Sequence, residues 1–130
     1  MNRQDGIDIV RETLAECLEA DLEEITVESR LVGDLGADSL DFVDLIFLLE
    51  ERFGVELRGG ELDALTRLDP GSADVMQDGH LTEAVLEQLR PWLRQLEGVS
   101  EVSPGQVFGM ITVESIWLAI ERVVSNKPNP

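Results

Sequence analysis

Ser39 stands in a setting that suits covalent modification. The stretch from Asp34 to Gly54 opens with a tight Asp-Leu-Gly-Ala-Asp turn and then runs without glycine or proline up to Gly54. Apolar residues recur in it at helical spacing, so it predicts an amphipathic helix. We expect Asp38 to cap this helix, with Asp41 completing a capping box, and Gly54 to end it. Ser39 would then lie in the first turn with its hydroxyl outward, where unpaired N–H groups favour negative charge.

The sequence offers no catalytic machinery for this serine. The single histidine, His80, lies in an Asp-Gly-His turn far along the chain, and nothing marks it as a base for Ser39. We expect His80 at the surface, without a ligand role. The Ser39 hydroxyl is therefore a poor nucleophile by itself, but a good acceptor for a group that another enzyme activates.

Metal binding is disfavoured as well. Acidic residues crowd positions 34–44, but Asp34, Gly36, Asp38 and Leu40 do not follow the ligand order of a calcium-binding EF-hand loop. A single cysteine and a single histidine do not suffice for a zinc site. Cys17 falls on the apolar stripe of the first predicted helix, so we expect it to be a buried structural thiol.

The text LVGDLGADSLDFVDLIFLLEERFGVEL, residues 31–57, resembles the acyl carrier protein family. The resemblance rests on Asp-Ser-Leu after Asp-Leu-Gly, followed by an acidic helix that ends in Glu-Arg-Phe-Gly. It implies that Ser39 carries 4′-phosphopantetheine, taken from coenzyme A, with acyl groups held on the arm as thioesters. It also implies a magnesium-dependent transferase, with Asp38 close to the metal. Such a protein is a carrier and not an enzyme.

The resemblance also indicates where the acyl chain would lie. By family position, Leu45, Ile46 and Leu49 are the expected wall of an acyl pocket. These side chains have an equally ordinary interpretation as part of the core, and the two roles are compatible.

Charge indicates what kind of partner the chain meets. The formal net charge is −17, and residues 1–65 hold 18 acidic and 5 basic residues against 9 and 5 in residues 66–130. This surface would repel nucleic acid. It would attract the basic docking patches of acyl-transfer and chain-elongation enzymes, although acidity also serves solubility. The expected docking residues on and around the Ser39 helix are Asp34, Asp41, Asp44, Glu50 and Glu51.

The rest of the chain predicts an all-α, acyl-carrier-like four-helix bundle with an additional helical insertion, formed as a single domain of residues 1–130. The first helix is predicted from Asp5 or Gly6 to about residues 19–22. A long loop follows to Leu35, and a final helix begins at Thr112. Apolar loop residues are expected to pack under the helices and order the loop; they are Ile25, Val27, Leu31 and Leu35.

Residues 58–110 form the insertion, which the resemblance does not explain. Gly59-Gly60, Asp69-Pro70-Gly71-Ser72 and Ser103-Pro104-Gly105 are predicted breaks, and residues 61–68 predict two helical turns. Residues 81–96 predict an extra helix that is kinked near Pro91. Its apolar stripe must pack on the bundle, where it would deepen or roof the pocket, or on a partner. The stripe consists of Leu81, Val85, Leu89, Trp92, Leu93 and Leu96.

Together these features predict an acyl carrier that presents intermediates to fatty-acid or specialised lipid biosynthetic enzymes. An aminoacyl or polyketide-intermediate carrier, and an unmodified interaction module with the same fold, remain open alternatives. No run approaches the roughly 18 apolar residues of a membrane span, and the N-terminus does not open a signal peptide. We therefore expect a cytoplasmic monomer with a flexible tail at residues 125–130.

Overall fold

The computed structural model describes residues 2–58, 60–64 and 71–126. Its helices are α1 (Arg3–Leu18), α2 (Ser39–Phe53), α3 (Glu61–Ala64), α4 (Glu83–Leu89), α5 (Pro104–Met110) and α6 (Val113–Asn126). Within these residues, 3₁₀ turns lie at Leu22–Glu24 and Arg94–Leu96, and the strands β1 (Met76–Gln77) and β2 (His80–Leu81) form an antiparallel pair. The prediction of an all-α fold is confirmed, since this short pair is the only sheet among the described residues.

Helix α1 is the centre of the bundle and packs against both α2 and α6. It begins at Arg3, two residues before the predicted start, because the side chain of Asn2 accepts a hydrogen bond from the Asp5 N–H at 2.8 Å. Gly6 is buried on this helix, where a Cβ would clash with the ring of Trp117 on α6. The missing side chain therefore allows α1 and α6 to approach closely.

The loop between α1 and α2 is held by hydrogen bonds to the segment before α6. The Leu31 N–H donates to the Ile111 carbonyl at 3.0 Å, and the Val113 N–H donates to the Ser29 carbonyl at 3.1 Å. As predicted, Ile25 and Leu31 are fully buried, while Val27 and Leu35 pack on the core as partly buried residues. These contacts fix the chain that leads to Ser39.

The predicted single helix over residues 81–96 is wrong. Helix α4 ends at Leu89, a turn follows at Arg90 and Pro91, and the chain resumes as the 3₁₀ turn Arg94–Leu96. Pro91 lacks the N–H of a helix interior, and the Arg90 guanidinium donates to the carbonyls of Leu96 and Val99 at 3.2 and 2.8 Å. Those bonds fold the second half back, so the helix is broken rather than kinked.

Two further elements were missed in the insertion. Ser103-Pro104-Gly105 is the start of α5 rather than a break: Ser103 caps the helix and the Gln106 side chain completes a capping box. The Asp-Gly pair before His80 turns the β1–β2 hairpin with both residues at positive φ. This pair is a common two-residue hairpin signal, so the sequence did contain evidence for the turn.

The insertion and the bundle share one hydrophobic core among the described residues. Five of the six residues in the predicted stripe are buried, and Val85 is partly buried against them. The second half of the predicted turns at 61–68, the Asp69-Pro70 step and tail residues 127–130 lie outside the described residues. Within the described part, no helix is long and apolar enough to cross a membrane.

Candidate functional site

The N-terminus of α2 is capped as the sequence predicts. Oδ1 of Asp38 accepts the Asp41 N–H at 2.9 Å, and Oδ2 of Asp41 accepts the Asp38 N–H at 3.0 Å, which completes the capping box. Gly54 ends the helix with φ at 66°. Ser39 is consequently the first residue of a 15-residue helix, and it is exposed.

This position suits an attached phosphodiester. The exposed Ser39 is accessible to an activating enzyme, and the unpaired N–H groups of the first turn favour a negative charge there by about 0.3–1 kcal/mol. The carboxylates of Asp38 and Asp41 lie beside it and oppose that charge by a similar amount, which salt screens. The residues around Ser39 therefore fit the group without a large change in stability.

The buried face of α2 lies below this serine. The three residues predicted to line an acyl pocket, Leu45, Ile46 and Leu49, are at most 2% exposed and belong to the core of the bundle. Phe42, one turn after Ser39, is on the same face and contacts Phe108 of α5. The core is apolar here, as an acyl chain requires, and the pocket assignment remains a prediction.

A second apolar row on α2 points outward, and helical periodicity alone does not separate it from the buried face. Leu40, Val43 and Phe47 are 74%, 39% and 46% exposed. They are spaced at i, i+3 and i+7, so they share one side of the helix. The available signal was the width of the apolar arc: the nine apolar residues of α2 spread too far around the helix to pack on one core.

The five acidic residues predicted for docking differ in their surroundings. Asp44 and Glu51 are exposed, whereas Asp41 is engaged in the capping box. Asp34 accepts the Arg30 N–H at 2.8 Å and pairs with the Arg30 guanidinium at 3.4 Å. The Arg30 backbone N–H, and then its side chain, lower the pKa of Asp34.

Glu50 is largely enclosed by the segment that follows α2. Its side chain is 11% exposed, accepts the N–H groups of Leu57 and Arg58 at 2.8 and 3.0 Å, and pairs with the Arg58 guanidinium at 2.9 Å. The Arg58 N–H is the largest cause of its lowered pKa. Arg58 also lies over the exposed ring of Phe47, 4.6 Å from the centroid. Glu50 thus fastens the segment after α2, and a docking role for it remains a prediction.

The other reactive side chains considered from the sequence are Cys17 and His80. Cys17 is partly buried, with Sγ 3.6 Å from the Asp41 carbonyl, and burial followed by the charge of Asp41 raises the pKa of its thiol. His80 lies on β2 and is half-buried rather than fully at the surface. Among the described residues, no group of three histidine, cysteine or acidic side chains could hold a metal ion.

Comparison with known proteins gives a consistent picture. The family described as a phosphopantetheine attachment site matches residues 8–69. The chain is 42% identical over 62 residues to an acyl carrier protein of Campylobacter jejuni subsp. doylei, a match that covers 48% of this chain and 80% of that protein. It is 47% identical over 58 residues to the acyl carrier protein of Campylobacter curvus, covering 45% and 75% of the two chains. No solved structure matches this chain.

The matched residues include α1 from residue 8 onward, the ordered loop and the whole of α2, which are the elements that position the exposed serine and its cap. Because these relatives are matched over most of their length, the chain belongs to the acyl carrier protein family, whose members are carriers with a covalently attached 4′-phosphopantetheine rather than enzymes.

Proposed function

We propose that Ser39 is the attachment residue for 4′-phosphopantetheine, and that the chain presents acyl intermediates to enzymes of fatty-acid or specialised lipid biosynthesis. The arm supplies a thiol on which acyl groups are held as thioesters. The observation that carries this proposal is the position of Ser39: it is exposed, it is the first residue of a capped 15-residue helix, and it lies within the matched stretch.

The activation for attachment must come from a partner enzyme. The nearest ionisable side chains to Ser39 in sequence are the carboxylates of Asp38 and Asp41, and Asp38 already serves as the helix cap. We propose that Asp38 also lies near the magnesium ion of the transferase when that enzyme docks. The two roles are compatible, because the capping bond engages Oδ1 and a carboxylate has two oxygens.

The outward side of α2 is suited to docking by several enzymes in turn. The exposed row of Leu40, Val43 and Phe47 offers apolar contact, and Asp44 and Glu51 add exposed negative charge on the same helix. A partner with an apolar patch ringed by arginine and lysine would be attracted at long range and bound through the apolar row. Of the five predicted docking residues, Asp44 and Glu51 are free to contribute most, while Asp34, Asp41 and Glu50 also have internal partners.

The bundle would shelter the acyl chain between transfers. Each methylene that leaves water is worth about 0.8 kcal/mol, so six of them against Leu45, Ile46 and Leu49 would contribute roughly 5 kcal/mol. Parting a close-packed core offsets part of that gain. The net free energy of burying the acyl chain is therefore small, so a partner enzyme can withdraw the chain, as a carrier requires.

Intact-mass measurement tests the attachment site. The protein is incubated with coenzyme A, magnesium and a broad-specificity phosphopantetheinyl transferase. We expect one added arm on the wild type and on Ser100→Ala, which removes another exposed serine, and none on Ser39→Ala. Circular dichroism of Ser39→Ala should match the wild type, since the side chain is exposed. Addition to Ser39→Ala would refute the site, and no addition to any of the three would favour an unmodified interaction module.

A further inference from the structure

Two phenylalanines meet in the core about one helical turn after Ser39. The rings of Phe42 on α2 and Phe108 on α5 contact edge to face, with centroids 5.2 Å apart and planes at 82°. Phe42 is 1% exposed, and Phe108 is partly buried against the core. Such edge-to-face pairs are favourable beyond the area they bury, so the contact holds α5 against the start of α2.

The pair stands between Ser39 and the predicted acyl pocket. Phe42 follows Ser39 by one helical turn, about 4.5 Å along the axis, while Leu45 and Leu49 follow at about 9 and 15 Å. All three side chains are on the buried face of α2. A chain tethered near Ser39 that runs under α2 toward Leu45 and Leu49 therefore reaches the aromatic pair first.

Of the two rings, Phe108 is the more easily displaced. It sits on α5, which has seven residues and is fastened by the Ser103 and Gln106 capping box and by the fully buried Val107. Short helices have little stability of their own. Among the described elements, α5 packs against other helices less extensively than α1 packs against α2 and α6.

We propose that Phe108 closes the core beneath Ser39 and is the side chain that a medium-length or long acyl chain must displace to be buried. The proposal rests on attachment of the arm at Ser39. It gives the insertion, residues 58–110, a role in burial of the acyl chain through the side chain of Phe108. Trp92, in the same insertion, is 0% exposed and belongs to the core. An acetyl group has too few carbons for its burial to offset displacement of the ring, so it should leave the ring in place.

Thermal melting of loaded proteins tests this role. Wild type, Phe108→Ala and Phe108→Leu are each loaded from coenzyme A, acetyl-coenzyme A or octanoyl-coenzyme A, and intact mass confirms one arm per chain. Phe53→Ala is the matched control, because Phe53 is also partly buried and contacts a ring, Trp117, at 6.1 Å, but lies at the far end of α2. The quantity compared is the rise in Tm from the arm-only form to the acylated form.

The expected result is a larger octanoyl effect where the ring is absent. In Phe108→Ala the rise in Tm on octanoyl loading should exceed that of the wild type by ~5 °C, because no ring has to be displaced before the chain is buried. Phe108→Leu should lie between the two, and Phe53→Ala should match the wild type. The acetyl group should change Tm by less than about 1 °C in every protein.

Two failures are distinguishable. If the wild type takes up no arm, or if Ser39→Ala takes one up, the mass measurement shows it and the proposed function fails before any melting. If loading is complete but the octanoyl rise in Phe108→Ala equals that in the wild type, Phe108 is not on the path of the chain and the proposal is wrong. Should Phe108→Ala prove unfolded, the same comparison with Phe108→Leu decides the question.

Discussion

Helix α2 and the segment of residues 81–96 both carry strong apolar stripes, and the fold uses them differently. Helix α2 runs unbroken between two caps and exposes one apolar row while it buries another. The segment breaks at Pro91 and buries nearly its whole stripe, with Trp92 and Leu96 at 0% exposure. A row that stays exposed is available to other molecules, whereas a buried one stabilises its own chain.

The difference follows from local chemistry. A continuous helix has one straight axis, so a wide apolar arc such as that of α2 cannot all face the same core. A segment interrupted by proline can change direction, and the bonds from Arg90 to Leu96 and Val99 turn its second half back onto the first. We therefore expect substitutions in the segment to change stability and substitutions on the outward row of α2 to change partner reactions.

The largest expected effect is on stability in the insertion. Trp92→Ala should reduce the free energy of unfolding by about 3–5 kcal/mol, because it leaves a cavity in a fully packed core. Leu40→Ala, on the outward row of α2, should change it by less than about 0.5 kcal/mol. Urea denaturation followed by circular dichroism measures both.

Trp92→Phe is the control for ring volume. The indole Nε1 of Trp92 is buried without an acceptor among the described residues, so phenylalanine removes no hydrogen bond and should cost much less than alanine. Equal losses of stability in Trp92→Ala and Leu40→Ala would break the contrast between the buried and the exposed stripe.

The next effect concerns charge on α2. Reversal of Asp44 and Glu51 to lysine should slow transfer of the arm by about 5–10-fold at low salt and by less than about 2-fold at high salt, because screening removes the attraction in both proteins. Reversal of Glu87 and Glu97, exposed acids of the insertion, should have little effect at either salt. The measurement is the rate of mass increase with the transferase.

The outcome that contradicts electrostatic docking is an equal loss of rate at both ionic strengths. That result would assign the docking to direct contacts of these side chains. A loss of the same size on reversal of Glu87 and Glu97 would show that overall charge, and not the face of α2, attracts the enzyme.

The smallest expected effect is on the pH dependence of stability, in which Glu50 should differ from its neighbour Glu51. The pKa of Glu50 is lowered in the fold, so its contribution to stability is fully present above its ordinary value of 4.5 and is lost as the pH falls through the lower folded value. Glu50→Gln should lower Tm at pH 7 by about 2–4 °C, and this difference should shrink toward pH 3. The readout is Tm across pH.

Glu51→Gln is the matched control, since Glu51 is exposed beside Glu50 on α2. The Tm of Glu51→Gln should match that of the wild type both at pH 7 and at pH 3. A difference for Glu50→Gln that stayed constant across pH would mean that its bonds to Leu57 and Arg58 do not depend on the charge.

The sequence predicted α2 well because its limits are local. The Asp38–Asp41 capping box and the Gly54 cap are formed by residues within a turn of the helix ends. It predicted α5 and the break at Pro91 poorly. Ser103-Pro104 is as compatible with a helix start as with a turn, and only the packing of Val107 and Phe108 on the bundle favours the helix. The exposure of the outer apolar row of α2 could not be predicted, since the periodicity does not say which part of a wide apolar arc meets the core.

The sequence by itself therefore determined the helix that presents Ser39, its caps and the acidity around it, because these depend on neighbours along the chain. Only the tertiary structure decided which carboxylates remain available and which apolar side chains remain outside. Glu50 is engaged by N–H groups seven and eight residues away, and Phe42 is covered by Phe108 from a distant helix. Such contacts join segments that no local pattern connects, because they form only when the chain folds back on itself.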